Sequence, residues 1–386
     1  MLFVAPFYDA GRLADPREGL QRFPILRELP AEVRALGYAV RVVALESRAA
    51  TATCSGVRYD WLAPSAPLRM AGELAHRLRP HYGPAYYQPA PGLARFVRRL
   101  RPDILHILGL SLDLQLALLT RAAPRGTRIF VHYHGGLPPT GRARRALQVG
   151  SLRRVEKVLF TSQAQAADWI AAGLLRAEQT ALVLETSSPF TGMERERARQ
   201  ITGMRGNPVY LSAGRLHPIK DPLTMLRGFQ LIARSQPGAR LYLYYLTGEM
   251  LDELQEFVAS APELAGRVAF RGRARPDEME AIYSSADVLL QASLREWSGL
   301  AVLEAMSCGC VPLVSRIPSF TAMTADGRYG LHFEPGDAEG LARAALEAGD
   351  LTELSERVRA HFQAELSFQA MARKLDKLYR SPAASP

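Results

Sequence analysis

The chain of 386 residues is 48% hydrophobic, which is enough apolar material for two hydrophobic cores, since single cores seldom exceed roughly 250–300 residues. Its formal net charge of +10 lies in the first half, where residues 1–192 hold 25 Arg and Lys against 14 Asp and Glu. The sequence has no apolar run of the ~20 residues that a membrane helix needs, and its three cysteines form no disulfide framework or zinc-site spacing, so we expect a cytoplasmic protein.

Short aliphatic and β-branched runs alternate with helical patterns along the chain, which is typical of βαβ units and parallel sheets. Pro30 near the start and Gly37 past the end predict a short helix between the first two runs. The first half contains five strand-like runs, at residues 2–5, 39–45, 103–108, 128–134 and 158–161.

The second half contains five more strand-like runs, and the segment between the two sets is rich in Ser, Thr, Gly and charge without a sustained period. We therefore predict an α/β protein with domains at 1–185 and 208–363, joined by a linker at 186–207. An amphipathic pattern predicts a last helix at about 364–379 that joins the first domain. The second set of runs lies at residues 209–213, 240–245, 268–270, 288–291 and 311–315.

The stretch 212–223, which reads SAGRLHPIKDPL, predicts an anion site. A strand ends at Gly214, and a helix begins with Asp221 as its N-cap and Pro222 in its first turn. Arg215 and Lys220 therefore lie in a loop at the carboxyl edge of the sheet, where open α/β folds bind ligands. Two cations beside a glycine suit a diphosphate. The alternative is a solvated charged loop, but the chain has only four lysines, so a lysine in this loop is informative.

Two glutamates follow the run 288–291. Ser298 and Gly299 can open a helix whose free amides point to the same sheet edge. Glu304 lies inside this helix among apolar residues, so its carboxylate needs a partner. That partner is either a pair of ligand hydroxyls or one of the 44 arginines. Glu296 precedes the helix and can face the same ligand.

These two segments, 214–222 and 296–309, resemble the nucleotide-sugar motifs of glycosyltransferase family 4. The likeness covers nearly all of 207–360 and implies a GT-B fold, with two Rossmann-like domains whose parallel sheets face each other across a cleft. It implies that Glu296 contacts the donor hexose and that Glu304 contacts the ribose hydroxyls. Arg215 and Lys220 would bind the diphosphate and stabilise it as the leaving group. The other donor-binding residues that we predict are Gly214, Arg271, Arg273, Ser298, Gly299 and Leu300.

The first half resembles the family less closely. His134, which follows a strand and precedes Gly135 and Gly136, matches the active-site histidine of the family. The alternatives are that His134 is a turn histidine, or that the strand histidines His106 and His132 hold the role. Two family features differ: residues 9–16 replace the Gly-Gly-x-Glu loop after the first strand, and residues 185–187 replace the Pro-Asn-Gly hinge.

The resemblance predicts a retaining transferase that moves a hexosyl group from a nucleoside diphosphate sugar to an acceptor that is a glycan, a lipid-linked molecule or a small molecule. The chain contains no D-x-D motif, so we expect a reaction without a metal ion or another cofactor. The predicted catalytic residues are His134, Arg215, Lys220 and Glu296. The rival hypothesis is a non-catalytic GT-B accessory subunit, which should lack these residues. Basic composition also suggests nucleic-acid binding, but the chain lacks an interleaved aromatic and basic motif.

The basic first half predicts contact with an anionic acceptor or with the inner face of a membrane. Phe96 and neighbouring leucines could add apolar insertion. The alternative is a solvated surface in a chain that uses arginine for most of its basic positions. The excess is concentrated in two clusters, Arg95, Arg98, Arg99 and Arg101 in one, and Arg142, Arg144, Arg145, Arg153, Arg154 and Lys157 in the other.

Overall fold

The computed structural model describes residues 1–6, 17–46, 48–78 and 90–382. The loop 9–16 that departs from the family pattern, and the stretch 79–89, therefore lie outside the described residues. The chain divides into two compact units. The first combines Met1–Thr186 with Phe368–Pro386, and the second is Ser187–Ser367. The chain thus leaves the first unit once and returns to it for its last helix.

The first unit is built on one sheet whose described strands run in the order β3-β4-β2-β1-β5-β6-β7-β8. All neighbouring strands are parallel except β3 and β4, which are antiparallel. The strands are β1 Leu2–Ala5, β2 Arg41–Leu45, β3 Ala50–Cys54, β4 Val57–Leu62, β5 Ile104–Leu108, β6 Arg128–His132, β7 Lys157–Phe160 and β8 Thr180–Leu182. The helices of this part of the chain are α1 Glu18–Arg22, α2 Pro24–Ala35, α3 Ala66–Leu78, α4 Pro91–Leu100, α5 Asp113–Ala122, α6 Arg142–Leu152 and α7 Gln163–Ala171.

The hairpin of β3 and β4 was not predicted from the sequence. Its turn consists of Ser55 and Gly56, with φ of 49° and 72°. Two successive residues with positive φ match the right-handed twist of the flanking strands, which is why short hairpins favour such turns. β3 is composed of small and polar residues and is only partly buried, so it lacks the apolar alternation by which strands are recognised in a sequence.

Helix α2 begins at Pro24 rather than near Pro30, so the short helix predicted there is wrong in its start. Pro30 lies inside the helix, where its missing N–H leaves the carbonyl of Leu26 without its usual donor. The hydroxyl of Tyr59 donates to that carbonyl at 3.1 Å. Because the partner comes from β4, the local sequence could not show that the helix continues through the proline.

The second unit has a fully parallel sheet whose described strands run in the order β11-β10-β9-β12-β13-β14. Strands β9 and β12 are neighbours although two strands separate them along the chain. The strands are β9 Val209–Gly214, β10 Arg240–Tyr245, β11 Val268–Gly272, β12 Val288–Gln291, β13 Val311–Ser315 and β14 Leu331–Phe333. The helices are α8 Arg195–Thr202, α9 Pro222–Ser235, α10 Leu251–Ser260, α11 Met279–Ser285, α12 Leu300–Ser307, α13 Pro318–Met323, α14 Ala338–Leu346 and α15 Leu351–His361.

The segment 186–207, predicted as a linker without periodic structure, contains helix α8. The Glu194 carboxylate caps this helix by accepting from the amides of Glu196 and Arg197 at 3.0 and 2.7 Å, and Gly203, with φ of 68°, ends it. Arg199 ties the helix to the second unit through Asp287, at 2.7 Å. The only buried residue of α8 is Ala198, so the sequence shows no apolar stripe.

The last helix, α16, spans Phe368–Arg380 and belongs to the first unit. It begins four residues later than predicted, after a wider helical turn at Phe362–Leu366. None of the described helices combines the length and the apolar character that crossing a bilayer requires.

Candidate functional site

The loop that follows β9 exposes the Arg215 side chain to solvent. Gly214 ends the strand with φ of 156°, and the space where a side chain would stand is empty. Arg215 is exposed, and it has no ion pair or hydrogen bond with any part of the chain that the structure describes. An unpaired guanidinium beside an open glycine can approach a phosphate closely.

Backbone hydrogen bonds hold this loop from both sides. The amide of Leu216 donates to the carbonyl of Thr247 at 2.9 Å, which joins the loop to the segment after β10. The amide of Leu294 donates to the carbonyl of Ile219 at 2.9 Å, which joins it to the segment after β12. The second bond is available because β9 and β12 are adjacent strands. The loop is therefore fixed before any ligand binds.

The helix start that the sequence predicted is confirmed. Asp221 adopts φ of 44° as the N-cap, its carboxylate accepts from the Thr224 amide at 3.3 Å, and Pro222 occupies the first turn of α9. Along α9, Leu226, Phe229 and Ile232 are fully buried. This cap fixes the end of the loop that carries Lys220.

Lys220 and Glu296 form an ion pair in which the Lys220 Nζ donates to the Glu296 Oε2. Both side chains are 18% exposed. The sequence placed the two residues at one edge of the sheet but did not predict that they bind each other. The pair positions both groups, and it leaves Lys220 able to donate its remaining protons to a ligand.

Helix α12 starts at Leu300, and Gly299 is its N-cap. Gly299 has φ of 58°, and a Cβ at this position would lie 2.9 Å from the Met323 Cε, so both the backbone conformation and the packing require glycine. Ser298 and Leu300 are partly buried beside it. The first amides of the helix and its positive dipole end point to the carboxyl edge of the sheet, as predicted.

Glu304 is partly buried, and its described hydrogen-bond partner is neither a ligand nor an arginine. The hydroxyl of Tyr283 donates to the Glu304 Oε2 at 2.7 Å. Burial raises the pKa of Glu304 to about 7, and the hydrogen bond from Tyr283 lowers this pKa by a smaller amount. Sequence reasoning missed Tyr283, which lies 21 residues before its partner and has no local feature that marks it.

Two further residues line the pocket at this edge and were also missed. Tyr244, near the end of β10, and Gln291, at the end of β12, lie beside Gly214, Arg215 and Lys220. Burial raises the pKa of Tyr244, so the phenol keeps its proton. The signal that could have found both is their position in the last residues of parallel strands, which end at the same edge.

Of the predicted donor-binding arginines, Arg271 lies near the end of β11 and Arg273 directly follows that strand, which is two strands away from β9 in the sheet. The guanidinium of Arg271 lies 5.3 Å from the centre of the Tyr242 ring. Arg273 is exposed and has no partner among the described residues. The structure therefore places Arg273 at the same sheet edge as Arg215, whereas Arg271 packs on the sheet.

His134 lies in the first unit, in the loop after β6. Its Nε2 is buried and has no hydrogen-bond partner among the described residues, and burial with the nearby His132 lowers the pKa of His134 to about 3, so the ring is neutral. The two alternative histidines are fully buried: the His106 Nδ1 lies 2.6 Å from the Tyr379 hydroxyl, and the His132 Nε2 lies 3.4 Å from the Val183 carbonyl. These two are core residues, which leaves His134 as the candidate for ligand contact.

The basic cluster of helix α6 and the residues that follow it is largely occupied by contacts within the protein. Arg144 pairs with Asp113, and Arg145, Arg154 and Lys157 donate to backbone carbonyls. Beside the other cluster, Phe96 is partly buried, and the guanidinium of Arg41 lies 4.9 Å from its ring. Within these two clusters, the exposed arginines without a described partner are Arg95, Arg98 and Arg99 on α4, Arg101 at its end, and Arg142 and Arg153.

Across the described residues, no group of three or more His, Cys, Asp or Glu side chains is arranged to hold a metal ion.

Two family profiles match the chain. The profile described as "Glycosyl transferase 4-like domain" matches residues 24–184, and the profile described as "Glycosyl transferases group 1" matches residues 194–363. The second match includes the loop with Arg215 and Lys220 and both glutamates.

The chain is similar to several characterised proteins over part of their length. Mannosylfructose-phosphate synthase of Agrobacterium fabrum is 32% identical over 161 residues, which are 40% of this chain and 35% of that protein. The D-inositol 3-phosphate glycosyltransferase of Saccharomonospora viridis is 30% identical over 220 residues, which are 52% of this chain and 51% of that protein. The chain thus covers about half, or less, of these relatives.

Solved structures share the fold over nearly the whole chain. Sucrose-phosphate synthase from Thermosynechococcus elongatus has a TM-score of 0.68 at 17% identity and covers 98% of both chains. The Anabaena protein HepE in complex with UDP-glucose has a TM-score of 0.65 at 17% identity, with 99% of this chain and 100% of that chain covered. At such low identity the likeness shows the fold alone.

Proposed function

Because the chain belongs to the glycosyltransferases of family 4, with their GT-B fold, we propose that it transfers a hexosyl group from a nucleoside diphosphate sugar to an acceptor hydroxyl with retention at the anomeric carbon. The observation that carries this proposal is the arrangement at one sheet edge of the second unit. Around the end of β9 and the first turns of α12 lie a Lys220–Glu296 ion pair, a partly buried Glu304, and Arg215, which pairs with no described residue.

In the proposed reaction the bond between the anomeric carbon and the diphosphate oxygen breaks, and the bonding electrons leave with that oxygen. The acceptor oxygen forms the new bond to the anomeric carbon, and its proton passes to the departing diphosphate. Negative charge grows on the departing nucleoside diphosphate. Arg215, Lys220 and the first amides of α12 supply fixed positive charge for this leaving group. Since backbone hydrogen bonds hold the loop and Glu296 holds Lys220 before binding, these parts of the site need little reorganisation during the reaction.

The two glutamates take the sugar parts of the donor. The Lys220 contact holds the Glu296 carboxylate, whose other oxygen can accept hydrogen bonds from hexose hydroxyls. Glu304 accepts from the ribose hydroxyls. Arg273 and the backbone around it are assigned to the base. The buried Nε2 of His134, for which the described part of the chain offers no partner, supports its assignment as a substrate-contacting residue.

The proposal is tested by incubating the protein with UDP-, GDP- and ADP-sugars and measuring slow hydrolysis of the donor without an acceptor. We expect one nucleotide class to be hydrolysed, and we expect an Arg215→Ala variant to hydrolyse it more slowly. The rival is a non-catalytic accessory subunit of the same fold. Binding of a nucleotide sugar without any hydrolysis or transfer, in the presence of an acceptor panel, would favour that rival.

Activity is expected to survive the removal of metal ions. Two cationic side chains and a helix start supply the charge that a divalent ion would bring to a diphosphate. The measurement is donor hydrolysis before and after EDTA, with readdition of Mg²⁺ or Mn²⁺ as the control. A strict requirement for either ion would contradict the proposed leaving-group site.

We also propose that the basic surface of the first unit meets an anionic membrane face or acceptor. Helix α4 is the best candidate because the side chains of Arg95, Arg98 and Arg99 have no described partner. Each basic residue near an anionic leaflet contributes about 1 kcal/mol, so an Arg95/Arg98/Arg99→Ser variant should bind anionic vesicles roughly 100-fold more weakly.

Co-sedimentation with vesicles of rising anionic lipid content, at ~0.1 M and ~0.5 M salt, measures this effect, since salt screens surface charge. The matched control removes three exposed arginines of the second unit without described side-chain partners, Arg197, Arg205 and Arg227. Equal losses in both variants, or no binding at any composition, would contradict contact with a membrane and leave only an anionic acceptor for the basic face.

A further inference from the structure

The Tyr283 hydroxyl is placed to act on the Glu304 carboxylate. Tyr283 is 1% exposed, and its hydroxyl lies 2.7 Å from the Glu304 Oε2. Burial raises the pKa of Tyr283 well above its ordinary value, so the phenol keeps its proton and is the donor in this hydrogen bond. An O–H donor to a carboxylate at this distance is a strong, charge-assisted contact.

The direction in which Glu304 extends follows from its place on α12. Val302, Leu303 and Ala305 are completely buried, so Glu304 lies on the partly exposed stripe that also contains Leu300. Side chains of an α-helix lean toward its N-terminus. The carboxylate therefore extends toward the start of α12, which is the edge where the donor is proposed to bind.

Helix α11, which carries Tyr283, is held in place by hydrogen bonds of two neighbouring side chains. The Glu280 Oε1 accepts from the amides of Thr191 and Gly192 at 2.8 and 3.0 Å. The Ser284 Oγ accepts from the amide of Met193 at 3.1 Å. A shift of Tyr283 toward or away from Glu304 would disturb these three hydrogen bonds, so they keep the Tyr283 hydroxyl in its position beside Glu304.

We propose that Tyr283 is a positioning residue of the nucleotide site, whose hydroxyl holds one oxygen of Glu304 and leaves the other to accept the ribose hydroxyls. The identity of the ligand rests on the proposed function. The effect of the Tyr283 hydroxyl on the Glu304 carboxylate is independent of that function. The same hydrogen bond favours the ionised carboxylate, which is the form that accepts from two hydroxyls. Loss of the Tyr283 hydroxyl should therefore raise the pKa of Glu304 and weaken donor binding at neutral pH.

Other titratable groups lie near Glu304, and the experiment must distinguish their titration from that of the Glu304 carboxylate. Tyr283 and Glu280 lie on α11, and Cys308, whose pKa burial raises to about 12, directly follows the end of α12. Helix α15 and the turn after it also pack against α12. The charged or titratable residues of these elements are Glu353, Glu356, Arg357, Arg359, His361 and Glu365.

The structural part is tested by the ¹³C carboxyl titration of Glu304 in the full-length protein, assigned by its absence in Glu304→Gln. We expect a midpoint near the pKa of about 7 in the wild type and a midpoint about one pH unit higher in Tyr283→Phe. Tyr210→Phe is the matched control, because that buried hydroxyl donates to Gln236 at 3.1 Å. Equal midpoints in the wild type and Tyr283→Phe would overturn the proposal.

The ligand part is tested by calorimetry with UDP-glucose, ADP-glucose and GDP-glucose between pH 6 and 9. These donors lack the terminal phosphate that titrates near pH 6, so a pH dependence reports on the protein. In Tyr283→Phe the affinity should fall about fivefold at pH 7 and recover by pH 9, and in Glu304→Gln it should be independent of pH. A pH profile in Tyr283→Phe that matches the wild type overturns the inference, whereas absence of donor binding by the wild type overturns the proposed function alone.

Discussion

Replacement of Lys220 by alanine is expected to lower kcat about 100- to 1,000-fold, because removal of one charge-stabilising donor costs ~2.7–4 kcal/mol in the transition state. Affinity for the free nucleoside diphosphate should fall less, by about tenfold. Charge on the diphosphate grows as the glycosidic bond breaks, so the interaction strengthens toward the transition state and its loss appears in kcat. Steady-state kinetics and calorimetry with the product nucleotide measure the two effects separately.

Because Lys220 and Glu296 form an ion pair, a double variant can show whether Lys220 acts through Glu296 or directly on the leaving group. If Lys220 acts only by holding Glu296, the Lys220→Ala/Glu296→Gln double variant should be no slower than Glu296→Gln alone. If Lys220 acts on the leaving group, the double variant should be slower by most of the Lys220→Ala effect. Lys377→Ala, which removes an exposed lysine of the last helix, controls for loss of charge. A Lys220→Ala enzyme with normal kcat and only a raised KM would contradict the assignment.

Replacement of Glu304 by alanine is expected to weaken nucleotide binding by about 1.5–3 kcal/mol, or roughly 10- to 150-fold in Kd, through loss of hydrogen bonds to a charged group. The pKa of Glu304, which burial raises to about 7, sets the pH range of the effect. The carboxylate is ionised above pH 7, so the difference between wild type and variant should be larger at pH 8 than at pH 6. Calorimetry at both values measures it.

The alternative for Glu304 is a structural role as the acceptor for Tyr283. Alanine would then leave a buried hydroxyl unsatisfied and lower the free energy of unfolding by ~1–3 kcal/mol. Thermal denaturation separates the two roles, and Glu256→Ala, which removes an exposed glutamate of the same unit, is the matched control. Equal nucleotide affinity of wild type and Glu304→Ala, with the fold intact, would leave only the structural role.

The sequence by itself determined the local features of the second unit. The Asp221 cap, the start of α9 at Pro222 and the glycine at the start of α12 were all predicted correctly, because helix caps depend on side chains that contact amides within a few residues. The pattern of strand-like runs likewise located ten of the strands within a few residues of their ends. These features require no knowledge of how distant segments meet.

Contacts between distant segments were decided only by the tertiary structure. Lys220 and Glu296 are 76 residues apart and Tyr283 and Glu304 are 21 apart, so no spacing rule relates them. The first pair meets because β12 lies directly beside β9 in the sheet, which brings the loops after both strands to one edge. Chain order alone does not specify that neighbour, since two other strands lie between them in the sequence.

The same reason explains what the sequence missed in the first unit. The Leu26 carbonyl that Pro30 leaves without its donor is satisfied by Tyr59 from a neighbouring strand, and the core histidine His106 is satisfied by Tyr379 from the last helix, 273 residues away. A polar group can be buried without a large loss of stability only where a hydrogen-bond partner is present. A sequence shows which residues need partners, and the packing of the sheets and helices decides which residues provide them.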